Sequence, residues 1–75
     1  MSPAILYKQT VSVNGSSTSV TLDHSFSNAN YTVGVEMPYN CDYSITNKTS
    51  TGFTLNVNPA PMYGAVNFKL TIFYN

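Results

Sequence analysis

Seventy-five residues with three Lys, three acidic residues, no Arg and a formal net charge of zero amount to one small, neutral domain. A chain of this kind is a poor nucleic-acid binder, because phosphate neutralisation by Lys and Arg supplies most of that affinity. Cys41 is the only cysteine and His24 the only histidine, so no intrachain disulfide can form and no spacing resembles a zinc or calcium site.

A chain this short buries only about 60% of the surface that its unfolded form exposes. Small domains usually add a disulfide, a metal or a partner subunit. With the first two unsupported, oligomerisation is the remaining expectation. Charged residues are 8% of the chain, against about 25% in average domains, and a net charge near zero favours association. Ser, Thr and Asn cover the exterior instead, as is common in extracellular and particle-surface proteins. No apolar run approaches the roughly 18 residues of a membrane span. The N-terminal MSPAILYKQT lacks the charged, apolar and cleavage regions of a secretory signal. An extracellular location is therefore expected to be reached by another route, such as release within a virus particle.

In chain order, Ala4–Val13 alternates Tyr7, Gln9, Val11 and Val13 on one face with Leu6, Lys8, Thr10 and Ser12 on the other. Asn14-Gly15 follows, the strongest short hairpin signal, because a type I′ turn needs positive φ at both positions. The expectation is a hairpin to Ser17–Leu22, with Val11 opposite Thr18, Gln9 opposite Val20 and Tyr7 opposite Leu22. That register keeps the apolar residues on one face. Asp23–Asn30 reads as a loop or crossover in which Phe26 plugs a sandwich end. Tyr31–Glu36 is a third strand with Tyr31, Val33 and Val35 facing inward. Met37–Cys41 breaks it, since Pro38 cannot donate to a ladder.

Ile45–Val57 (ITNKTSTGFTLNV) reads as a second hairpin whose inner face carries Tyr43, Ile45, Phe53, Leu55 and Val57. Gly52 is expected to supply the positive φ that a loop of about three to five residues often needs. Asn58–Gly64 (NPAPMYG) is a loop. Ala65–Tyr74 closes the chain as a strand with Val66, Phe68, Leu70, Ile72 and Tyr74 inward. The pattern predicts an all-β fold: a small six-stranded antiparallel β-sandwich forming a single domain over residues 1–75.

Candidate chemistry is sparse. Asp23-His24-Ser25 has the ingredients of a triad, but triads are assembled in space and sequence neighbours rarely point at one another; Asp and Ser after a strand ordinarily cap backbone groups. Cys41 would need a base, and His24 is the only candidate. Neither supports an enzyme, and no cofactor is expected. Asn14-Gly15-Ser16, Asn30-Tyr31-Thr32 and Asn47-Lys48-Thr49 match the glycosylation triplet, as chance allows in an Asn- and Thr-rich chain. Tyr39, Tyr43 and Tyr63 lie in or beside loops, with amides nearby. Rings that cover a sugar's apolar face beside amides that bind its hydroxyls form a usual glycan site, so these three are the candidate ligand-binding residues. The alternative role for each ring is packing, in a sandwich with no Trp. Leu6 and Phe73 fall on the outer faces of the first and last strands. Exposed large apolar residues often mark a subunit contact, which makes this pair the candidate interface.

The runs HSFSNANYTVGV, ITNKTSTGFTLNV and VNFKLTIFY together resemble the H-type lectin-like module found in invertebrate agglutinins and in bacteriophage tail and appendage proteins. NKTSTGFTL is the most specific piece, and the likeness spans roughly Val20 to Tyr74. The resemblance implies a six-stranded sandwich assembling as a parallel homotrimer. It also implies a role as a structural virion protein (appendage, fibre-head or capsid-decoration module) at the particle surface. The partners it implies are its own copies, other virion proteins and host surface glycans, with no nucleic acid or membrane. The alternative it leaves open is a carbohydrate-binding domain without a virion role.

Overall fold

Period-two alternation gives a strand one wet and one dry face, and six such runs form strands in the computed structural model, which describes residues 4–74. They are β1 (Ile5–Val13), β2 (Ser17–Thr21), β3 (Tyr31–Glu36), β4 (Asp42–Thr46), β5 (Gly52–Asn58) and β6 (Val66–Tyr74). Part of the N-terminal stretch read above, residues 1–3, lies outside the described residues. The strands make two antiparallel three-stranded sheets, ordered β1-β6-β3 and β2-β5-β4. The inner faces share one core: Val13, Phe68, Leu70 and Ile72 from the first sheet, Val20, Phe53, Leu55 and Val57 from the second. The central strands β5 and β6, flanked on both sides, bury three side chains each: Phe53, Leu55 and Val57, and Phe68, Leu70 and Ile72. On the edge strands Val13, Val20 and Tyr31 are buried as well, while Val33, Val35 and Ile45 are only half-buried.

The second hairpin forms as expected. β4 pairs with β5, placing Ile45 opposite Leu55 and Tyr43 opposite Val57. The first hairpin does not form. β1 and β2 lie in different sheets, and Asn14–Ser16 carries the chain from one to the other. The apolar pattern constrains only which face points inward. Two strands facing each other across the core satisfy it as well as two strands side by side. The nine residues of β1 pair completely with the nine of β6, from Ile5 opposite Tyr74 to Val13 opposite Val66. The five-residue β2 would have left much of β1 without ladder partners. Neither Asn14 nor Gly15 has a positive φ, so the type I′ geometry is absent.

Gly52 differs from expectation too. Its φ is not positive; the left-handed residue of this turn is Asn47, at φ 53°, a residue type that tolerates that region. Glycine is needed at 52 for another reason: a Cβ there would lie 2.2 Å from the Val20 carbonyl oxygen of β2. The Gly52 carbonyl is itself enclosed. It accepts from the Thr49 amide at 2.8 Å, the Thr49 hydroxyl at 3.2 Å and the Tyr31 hydroxyl at 2.8 Å.

Phe26 plugs one end of the sandwich, stacked on Tyr74 with ring centroids 4.5 Å apart and planes 3° from parallel. Lys48 closes over the same end, donating to the Tyr31 carbonyl at 2.6 Å with its ammonium 5.0 Å from the Tyr31 ring centre. Gln9 ties the sheets together along the β1 edge. Its Nε2 donates to the Thr21 carbonyl and its Oε1 accepts from the Asp23 amide, each at 3.1 Å. The side-chain amide stands in for the backbone pairing that β1 and β2 do not make.

Candidate functional site

The end of the sandwich away from Phe26 is built by the segment after β3 and the loop from Pro59 to Ala65. Pro38 stops β3, and the chain turns Tyr39 inward until its ring meets Phe68 edge-on, with centroids 5.8 Å apart. The Tyr39 hydroxyl donates to the Pro59 carbonyl at 2.6 Å, which pins the second loop beside the first. That loop begins with a cis Asn58-Pro59 bond and ends at Gly64, whose φ of 99° is open to glycine and costly to other residues. Two prolines fix φ along it and lower the entropy lost on ordering.

Between the two segments lies an open, largely apolar cleft of about 270 Å³, lined by Tyr39, Pro59, Pro61, Met62, Tyr63 and Val66 among others. Tyr63 is 97% exposed and Met62 79% exposed, so both offer apolar surface to solvent. The cleft offers a partner ring faces and prolines rather than charge. Removal from water holds the Tyr39 hydroxyl above its ordinary pKa, and that hydroxyl is already committed to Pro59.

Of the three candidate ligand residues, Tyr39 and Tyr63 share this cleft. Tyr43 does not. It sits on the edge strand β4 beside a separate depression with Ser44, Asn56 and Asn58. Tyr31 and Phe26 pack at the opposite end with Tyr7, Tyr74 and Phe53. The contributions of Pro59, Pro61, Met62 and Val66 were missed by sequence reasoning. The available signal was the NPAPMYG loop, which carries more apolar surface than turn chemistry requires.

Leu6 and Phe73 are brought together. They face each other across the β1–β6 ladder on the outer side of the first sheet, 66% and 40% exposed, with Thr32 of β3 on the other side of Phe73. The rest of that face is polar: Lys8, Thr10 and Ser12 from β1, Asn67, Lys69 and Thr71 from β6, and Glu36 from β3. The second sheet is different. Its outer face is an array of hydroxyls and amides centred on Asn56, which accepts from Ser17 at 2.9 Å and donates to Thr46 at 2.9 Å.

The triad ingredients do not assemble. Among the described residues His24 makes no hydrogen bond to Asp23 or Ser25; its ring meets Tyr7 edge-on, with centroids 4.5 Å apart. Cys41 is buried as a free thiol at the other end of the sandwich. Among the described residues no three His, Cys, Asp or Glu side chains gather as metal ligands, and no helix is long and apolar enough to cross a membrane. No protein-family model matches the chain, and no curated protein and no solved structure matches it either.

Proposed function

We propose that this chain is a non-catalytic structural protein of a virus particle, an appendage, fibre-head or capsid-decoration module that works as a homotrimer. The observation that carries the reading is the Leu6–Phe73 pair, an exposed apolar couple on an otherwise polar sheet face. A standard interface buries about 800 Å² on each partner, roughly a sixth of the 4817 Å² surface. In this reading Leu6 and Phe73 form the dry centre of the contact, and the neighbouring Lys8, Lys69 and Thr71 form its rim. Three as the copy number, and the particle surface as the location, rest on the resemblance of NKTSTGFTL and its flanking strands to phage modules. The neutral Ser-, Thr- and Asn-rich exterior agrees with both.

Host surface glycans are the proposed outward partner, taken at the Tyr39–Tyr63 end. A carbohydrate-binding domain without a virion role is the second reading, favoured by the nearly fully exposed Tyr63 ring beside that cleft. Two experiments test these readings. Antibody detection in purified particles should find the protein there at fixed stoichiometry; finding it only in host cells would overturn the virion role. A glycan array probed with multivalent protein should give signals that Tyr63→Ala removes, since avidity reveals weak sites. A blank array would overturn glycan binding and leave the structural role standing.

A further inference from the structure

Asn14-Gly15 was expected to be a hairpin turn, and the fold uses it for something else, so what this dipeptide can do is open. We infer that it is a deamidation site built into the turn that joins the two sheets. Asn14 is exposed and lies between β1 and β2. Among the described residues neither its side chain nor the Gly15 amide takes part in a hydrogen bond. Both reacting groups are therefore free. Gly15 has no Cβ to hinder the approach of its own nitrogen to the Asn14 side-chain carbon. Nor does the fold need glycine here: its φ is not positive, and a Cβ added at 15 would meet nothing within 4 Å.

The reaction balances without any reagent but water. The deprotonated Gly15 nitrogen attacks the Asn14 side-chain carbonyl carbon, a C–N bond forms and ammonia leaves, closing a cyclic imide. Water then opens the ring at either carbonyl. One opening gives an aspartate at position 14. The other gives an isoaspartate, in which the main chain runs through the former side chain and is one carbon longer.

The position makes the product consequential. Val13, one residue before, is fully buried and paired with Val66. Ser16, two residues after, is held in the other sheet, where its carbonyl accepts from the Val57 amide at 2.9 Å. An added backbone atom between these two anchors loosens the crossover. Either product also places a carboxylate on a chain whose net charge is zero, at the end of the sandwich where Val66 lines the cleft.

The test is incubation of the intact protein in mildly alkaline buffer, followed by peptide mass spectrometry. The peptide spanning Asn14 should gain the mass difference between an amide and an acid and split into two isomers. The other eight asparagines, none followed by glycine, should stay amidated over the same period. Gly15→Ala, which the open space around 15 lets fold, should slow Asn14 to the rate of the others. Asn14 reacting no faster than the other asparagines, or equally fast in Gly15→Ala, would overturn the site. Thermal melting separates the two products. Asn14→Asp, which adds charge at native chain length, should melt close to the fresh protein, and the isolated isoaspartyl form should melt lower. An isoaspartyl form melting with the fresh protein would overturn the loosening of the crossover.

Discussion

Two glycines show how differently one residue type can serve the fold. At position 52 the Val20 carbonyl sits where a Cβ would have to go, so Gly52→Ala forces β2 and β5 apart and should cost about 2–3 kcal/mol. At position 15 the space is empty, and Gly15→Ala should change stability by no more than about 0.5 kcal/mol. Urea denaturation of the two variants checks both values, and equal losses would contradict this account of the turns. Tyr31 and Tyr7 make a second prediction at this scale. Burial pushes both hydroxyls above the ordinary tyrosine pKa, so the folded state holds these protons more tightly than the unfolded chain. Their contribution to stability is complete below about pH 10, where unfolded tyrosine titrates, and falls as pH rises through their folded pKa values. An ultraviolet titration should show Tyr7 and Tyr31 ionising above the ordinary tyrosine range, together with alkaline unfolding. Ionisation of Tyr7 and Tyr31 within the ordinary tyrosine range would contradict it.

The strands test what alternation can and cannot say. β6 alternates apolar and polar residues from Val66 to Ile72, and the structure buries Phe68, Leu70 and Ile72 as the pattern requires. The β4–β5 hairpin was legible as well, since a short polar turn joins two runs with matching inner faces. The β1–β2 pairing was misread because an inward-facing pattern is equally satisfied beside a strand or across the core from it. Strand length, nine residues against nine, decides the partner, and exact boundaries are hard to read from a Ser- and Thr-rich sequence. Gln9 was placed on the inner face of β1 without an account of why a polar residue should lie there. Its two hydrogen bonds to the end of β2 supply one. Gln9→Ala removes both of these hydrogen bonds and should destabilise by about 1–2 kcal/mol. Denaturant midpoints measure this, and a midpoint equal to wild type would mean that the sheets need no such tie. Leu55, fully buried at the centre of the second sheet, gives the reference for core truncation: Leu55→Ala should cost about 2–5 kcal/mol.

At the scale of the molecule, the two ends and the two outer faces have separate characters. One end is sealed by stacked rings around Phe26 and by Lys48; the other is open at the Tyr39–Tyr63 cleft. One sheet presents hydroxyls and amides, and the other carries the Leu6–Phe73 pair. The pair was legible from strand parity alone, because opposite parity to the core set places a residue outside. That the two residues face each other follows only from the β1–β6 register, which the strand pattern does not assign. The cleft was partly legible: Tyr39 and Tyr63 were named, but the loops that bring them together are 20 residues apart in sequence, joined by the Tyr39–Pro59 bond, and no periodicity encodes that meeting. Self-association through the first sheet is the claim on which the proposed role most depends. Light-scattering mass across a dilution series, for wild type and for Phe73→Ser, tests it most directly. The expected result is three times the 8.2 kDa chain mass for wild type, with Phe73→Ser folded but shifted toward monomer. A wild-type protein that stays monomeric at every concentration, or a Phe73→Ser variant that assembles as well as wild type, would contradict it.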